Sequence, residues 1–181
     1  MVKIVTPPTA EPVTLDEFKA WMRGIPISAE QEGMVNTLLQ AGREEAERYQ
    51  NAAYLEQTLQ ITLDALPQGT AVLPRPPYKE LVSVVLYGAD GSETDVTECF
   101  TVSDIPFPAE LRRKEGAVFP TVAARCHEPV VVTYKAGADT VPERVRHAIL
   151  LYASWAYLHP SGDEPIPDAF YSLLKKGRVP L

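Results

Sequence analysis

Residues 28–63 read SAEQEGMVNTLLQAGREEAERYQNAAYLEQTLQITL, and one change of period inside this stretch decides the fold class. Met34, Val35, Leu38, Leu39, Gly42, Ala46 and Tyr49 recur at i, i+3 and i+4 spacing. That is one face of a helix. Ser28-Ala29-Glu30-Gln31 ahead of it reads as a capping box, so the spacing predicts a helix over about residues 29–53. Arg43, Glu44, Glu45, Glu47 and Arg48 are expected on the opposite, solvated side. Gly42 lies inside the apolar stripe, where it costs roughly 1 kcal/mol against Ala; a close helix approach is one reason to keep it there. From Thr58 the period drops to 2: Leu59, Ile61 and Leu63 alternate with Thr58, Gln60 and Thr62. That is a half-buried strand.

Working outward, the 17 prolines punctuate the chain. Proline has no amide donor and clashes inside helices, so helices belong in the proline-free windows. Three more windows qualify. Thr14–Arg23 opens on the capping box Thr14-Leu15-Asp16-Glu17 and puts Leu15, Phe18, Trp21 and Met22 on one face. Residues 141–159 open on Thr140-Val141-Pro142-Glu143, read as a cap followed by an early-turn proline. Their stripe is Val145, Ala148, Ile149, Tyr152, Trp155 and Ala156, widened by Leu150 and Leu151. Residues 168–176 carry Phe170, Leu173 and Leu174, and Gly177 ends them. Between the second and third helices, Leu81–Tyr87, Thr94–Val96, Phe100–Val102 and Val130–Tyr134 read as strands, with Ala89-Asp90-Gly91-Ser92 as a hairpin turn. Pro74-Arg75-Pro76-Pro77 is expected to be extended.

With no βαβ alternation, the order predicts an α+β protein. It has a helical body of about four helices and a small antiparallel β insertion between helices two and three. We expect one domain over residues 1–181: N-terminal helices in 1–56, a β-rich middle in 57–139, C-terminal helices in 140–176 and an extended tail in 177–181.

Composition excludes several classes. The chain of 181 residues is 45% hydrophobic and 23% charged, an ordinary globular balance. No apolar run reaches the ~18 residues of a membrane helix. The N-terminal apolar residues stop at Pro7-Pro8, too early for a signal-peptide core, so a soluble, cytosolic protein is expected. Two cysteines, Cys99 and Cys126, make no disulfide framework. Cys99 sits in an acidic stretch with nothing to activate it. Cys126-His127 and the remaining histidines, His147 and His159, lack metal-ligand spacing. No nucleophile elbow, phosphate loop or dinucleotide fingerprint is present. The sequence therefore calls for no cofactor, metal or catalytic residue.

Net charge is -7, from 17 basic and 24 acidic residues. The acidic excess lies in residues 1–140, and residues 141–181 are slightly basic. Gripping DNA needs clustered cations. The only clusters are Arg112-Arg113-Lys114 and Lys175-Lys176 with Arg178, each expected to be a solvated loop or tail.

An ordered set of segments then carries a resemblance. It runs through Val5-Thr6-Pro7-Pro8, Glu11-Pro12-Val13-Thr14-Leu15-Asp16-Glu17-Phe18-Lys19, Arg43-Glu44-Glu45-Ala46-Glu47, Gln57-Thr58-Leu59 and Leu73-Pro74-Arg75-Pro76-Pro77. It continues through Tyr134-Lys135-Ala136-Gly137, Val141-Pro142-Glu143, Ala148-Ile149-Leu150-Leu151, Ile166-Pro167-Asp168-Ala169, Leu173-Leu174 and Arg178-Val179. In this order the chain resembles the tailed-phage head–tail connector proteins, also called adaptor or head-completion proteins and found in prophages and gene transfer agents. The third helix departs from that pattern, ending in Tyr157-Leu158-His159-Pro160.

The resemblance implies a non-enzymatic virion protein of the neck, built in the host cytoplasm. It would form a dodecameric homo-oligomeric ring below the portal protein, extend the DNA channel, and offer a surface to a stopper or tail-completion protein. Lys175, Lys176, Arg178, Val179, Pro180 and Leu181 become candidates for portal contact, with a frayed terminus as the alternative. Tyr152 and Trp155 are candidates for the subunit interface, against plain core. Glu44, Glu45 and Glu47 are candidates for charge lining the channel, against an outer solvated face. A stopper or tail-completion protein is the related alternative; a small-ligand protein or enzyme is the distant one.

Overall fold

A computed structural model of the chain describes residues 2–105, 107–120, 127 and 129–179. In chain order the elements are β1 (Val2–Thr6), α1 (Leu15–Trp21), α2 (Glu32–Gln50), β2 (Gln57–Leu63), β3 (Thr70–Val72), β4 (Tyr78–Tyr87), β5 (Glu93–Asp95), β6 (Phe100–Ser103), β7 (Glu110–Arg113), β8 (Val130–Ala136), α3 (Glu143–Leu158) and α4 (Asp168–Leu174). The protein is α+β, with four α-helices and antiparallel sheets among the described residues. The backbone gathers into two compact units: Met1–Pro7 with Glu56–Ala138, and Pro8–Leu55 with Asp139–Leu181.

The first unit holds a five-stranded sheet in the order β1-β2-β8-β4-β5 and a three-stranded sheet in the order β3-β7-β6. Strand β8 is central because its sequence is apolar on both faces: Val130, Val131, Val132, Tyr134 and Ala136 are all buried. The alternation read in β2 places Leu59 opposite Tyr134 and Ile61 opposite Val132, so both strands share a buried row. The Asp90-Gly91 turn closes the β4–β5 hairpin as expected, with the Gly88 amide donating to the Ser92 carbonyl at 2.8 Å and Gly91 at φ 85°.

Three readings are corrected in this unit. Residues 2–6, grouped with the helices by pattern, form edge strand β1 against β2. Arg112 and Arg113 are not in a solvated loop; they lie in β7, where Arg112 pairs with Glu110 at 2.8 Å and Arg113 stacks 4.0 Å from the Phe119 ring. The Pro74–Pro77 segment is not extended throughout, because Arg75 takes φ 57°. The Tyr134 hydroxyl donates to the Pro74 carbonyl at 2.6 Å, fastening this turn to β8. Of the Cys126–His127 pair, Cys126 lies outside the described residues, and His127 is exposed.

The second unit is helical. Its core is Phe18 from α1, Val35, Leu39 and Ala46 from α2, Val145, Ala148, Ile149 and Ala153 from α3, and Phe170 and Leu174 from α4. Each large apolar side chain removed from water contributes about 1.5–3 kcal/mol. Both capping boxes form. The Thr14 amide donates to Glu17 Oε2 at 2.8 Å, the Glu17 amide to Thr14 Oγ1 at 3.3 Å, and the Ser28 amide to Gln31 Oε1 at 2.9 Å. The Ser28 box opens a 3-10 turn, Ala29–Gln31, that feeds α2. Helix α2 stops at Asn51, which adopts the left-handed conformation (φ 52°).

The expected Thr140 cap does not form. The Pro142 carbonyl accepts the first bond of α3, from Val145 at 2.8 Å, which leaves Thr140 two residues outside the helix. Gly42 is where α2 and α3 approach: a Cβ there would lie 3.1 Å from Tyr152 Cδ1 and 3.3 Å from the Ile149 carbonyl oxygen.

Candidate functional site

The helical unit carries the described candidates for subunit interface, channel charge and portal contact, and they fall into three groups.

The first group is a buried polar chain, and it corrects the reading of α2. Arg43 and Glu47 are not on a solvated face: their side chains are 1% and 0% exposed. Arg43 Nη1 donates to Glu47 Oε2 at 2.9 Å, and its Nε donates to Glu11 Oε2 at 2.7 Å. Burial pulls the Arg43 pKa down, but the Glu11 hydrogen bond and the charges of Glu47, Glu11 and Glu44 outweigh it and hold the guanidinium charged. Glu47 Oε1 accepts from the Tyr54 amide at 2.9 Å, and the Tyr54 hydroxyl donates to Gln50 Oε1 at 2.6 Å. Burial, then the Glu47 charge, pushes the Tyr54 phenol well above its ordinary range. Gln50 Nε2 in turn donates to the Leu174 carbonyl.

Glu47 therefore cannot line a channel, because its charge is neutralised inside the unit. Glu44 does stand out, with a half-exposed side chain that accepts from Gln40. Glu45 is mostly covered and pairs with Arg48 at 2.6 Å.

The second group is aromatic. Tyr152 is half-buried, its ring 5.6 Å from Phe170 and 5.7 Å from Trp155. It packs inside the unit against Gly42, partly buried at the margin of the core. Trp155 lies further along α3 and lines an apolar groove of about 650 Å³ with Met34, Leu38, Tyr157, His159 and Pro160. The groove lies at the C-terminal end of α3. Met34 and Leu158 are exposed at 46% and 55%. Trp155 Nε1 is buried without a hydrogen-bond partner among the described residues.

The third group is the C-terminal segment. It is not a free tail as far as Val179. A 3-10 turn, Lys175–Gly177, follows α4, and Arg178 is extended. The Val179 amide donates to the Gln50 carbonyl at 2.9 Å, and Val179 is buried. Gly177 is closely approached: a Cβ there would sit 2.5 Å from Gln50 Nε2 and 2.9 Å from Arg144 Nη2, so these side chains would have to shift. Lys175, Lys176 and Arg178 project from this clamped segment and are exposed. Pro180 and Leu181 lie outside the described residues.

One anchoring residue gave no signal in the sequence. Arg146 of α3 donates to the Pro12 carbonyl and to Glu17, joining α3 to the N-terminal cap of α1. Among the described residues no group of three or more His, Cys, Asp and Glu side chains gathers to hold a metal. No helix among them is long and apolar enough to cross a membrane.

No protein-family model matches the chain, and no curated protein matches it. Solved structures do match. A chain of the virion of a native gene transfer agent particle superposes with TM-score 0.77 at 19% identity, covering 100% of this chain and 96% of that one. A chain from the neck of the empty particle, computed with C6 symmetry, gives 0.77 at 20% identity over the same shares. A chain from the neck of the native particle, computed with C12 symmetry, gives 0.75 at 19%. Along its whole length this chain has the fold of chains found in solved gene transfer agent particles, two of them from structures of the particle neck.

Proposed function

We propose that the protein is a structural, non-enzymatic component of the neck of a tailed-phage or gene-transfer-agent particle. It forms a closed homo-oligomeric ring, dodecameric in the particle, below the portal, and continues the DNA channel toward the stopper or tail-completion protein. The observation that carries this reading is the end-to-end match, at TM-score 0.77, to chains of a solved gene transfer agent virion and a solved particle neck. The C6 and C12 symmetries of those necks support a ring.

The surfaces described above fit such a part. A ring needs a heterologous contact, in which one face of a subunit meets a different face of the next. The groove at Trp155, with exposed Met34 and Leu158 beside it, supplies an apolar face for one. Glu44 is the exposed candidate for channel charge, Glu45 being mostly covered and paired with Arg48; a carboxylate lining repels phosphates and lets DNA slide. The C-terminal segment with Lys175, Lys176, Arg178 and Val179, continuing to Pro180 and Leu181, faces the portal. Mass photometry and negative-stain microscopy of the full chain, alone and with its cognate portal, test the reading. Closed rings are expected; monomers that ignore the portal at every concentration contradict it.

A further inference from the structure

The C-terminal cations are presented on a fixed platform, and a fourth cation joins them. Arg144, in the first turn of α3, brings its guanidinium against Gly177, between Lys176 and Arg178 in the chain. Arg144, Lys175, Lys176 and Arg178 are all exposed. None of them makes an ion pair with a carboxylate among the described residues, whereas Arg43, Arg48, Arg112 and Arg146 all do. This is a concentration of unpaired positive charge on a chain whose net charge is -7.

Helix dipoles account for only part of it: Lys175 and Lys176 follow the C-terminus of α4, where the dipole favours a cation, but Arg144 lies at the N-terminal end of α3, where the dipole disfavours one. The platform is held in place from beneath. Gln50 donates to the Leu174 carbonyl, accepts from Tyr54 through its side chain, and accepts the Val179 amide on its own carbonyl. The cations are thus pre-positioned, which lowers the ordering cost of binding.

The neighbours of the patch are aromatic. The Arg178 guanidinium stands 5.6 Å from the centroid of the Tyr49 ring, which lies 5.0 Å from Tyr171. Arginine beside tyrosine is the composition of protein–protein interface centres. The net charge of -7 opposes approach to DNA phosphates.

The geometry points to Arg144, Lys175, Lys176 and Arg178 as one docking site for a carboxylate-rich protein face, presented by the neck component above the ring. This rests on the ring reading and identifies that component's face, on that reading the portal's, by its chemistry.

The test immobilises the cognate portal complex and measures binding of the full-length chain at 50 and 300 mM NaCl. Variants are R144E, K175E/K176E and, as a control reversal in the β unit, K114E. Each is first checked for an unchanged thermal melt. A 20-base-pair DNA duplex is run as a second probe. The expected result is wild-type attachment that weakens with salt, a loss of about tenfold or more in R144E and in K175E/K176E, none in K114E, and no duplex binding. Wild-type attachment with unchanged R144E and K175E/K176E overturns the docking site and leaves the ring reading standing. Duplex binding that disappears in the same variants overturns it in favour of phosphate recognition. No wild-type attachment to the portal overturns both.

Discussion

Replacing Glu47 with Ala separates a buried structural charge from a channel charge. In the fold, Glu47 accepts from Arg43 Nη1 at 2.9 Å and from the Tyr54 amide at 2.9 Å, with no exposed side-chain surface. Removing one partner of a buried ion pair costs roughly 3–5 kcal/mol, and an orphaned buried amide adds about 1–3. Glu11 still holds Arg43 through Nε at 2.7 Å, so part of the pair's loss is offset. The net expectation is about 4 kcal/mol, the low end of that sum. For a chain of this size about 2–4 °C of melting temperature goes with each kcal/mol, so Tm falls by on the order of 10 °C. Glu47→Gln keeps one oxygen acceptor and falls between Ala and wild type. Glu44→Gln, at a half-exposed site, stays within about 0.5 kcal/mol. Thermal melts followed by helical circular dichroism read all three. A Glu47→Ala melt indistinguishable from Glu44→Gln refutes the buried network, and with it the removal of Glu47 from the channel.

Four further outcomes follow from the same geometry. Tyr54→Phe removes the 2.6 Å bond to Gln50 and leaves a buried acceptor unpaired, which lowers stability by about 1–2 kcal/mol in urea melts. Gly177→Ala drives a methyl group to 2.5 Å from Gln50 Nε2, so hydrogen exchange at the Val179 amide accelerates; unchanged exchange refutes the clamp. Glu17 has its pKa held down first by the Thr14 backbone hydrogen bond and further by the Thr14 hydroxyl and Arg146. Its contribution is present above the ordinary value of 4.5 and fades as pH falls through the depressed one, so Glu17→Gln flattens the acid limb of stability against pH. Leu158→Asp, at 55% exposure beside the Trp155 groove, leaves the monomer melt unchanged but lowers the ring fraction in mass photometry.

The helices were legible because each combined a 3.6-residue apolar period with a stop or start signal. Thr14, Ser28 and Gly42 all do what their positions indicated. The buried Arg43–Glu47 pair was misread because both residues are charged. A signal was nevertheless present: Val35, Leu39, Arg43 and Glu47 form one i+4 row, so the pair of opposite charges continues the buried stripe. Strands β3 and β7 escaped notice because three and four residues are too few for a period, and Arg112-Arg113 looks solvated until Glu110 and Phe119 are placed beside it. Arg75 defeated the extended reading of its proline-rich segment by taking a positive φ, which its residue type does not announce. Of the candidate surfaces, Trp155 and the C-terminal cations were legible as residue types. Arg144 was not, because only the turn after α4 brings Gly177 against it.

The most direct test of the central claim is a cryo-electron microscopy reconstruction of the full-length chain bound to its cognate portal, without imposed symmetry. The expected result is a closed ring on the portal's axis, neighbouring subunits meeting across the Trp155 groove and the Arg144–Lys175–Lys176–Arg178 face turned to the portal. Isolated subunits on the portal, or a ring with the C-terminal face turned away from it, would contradict it.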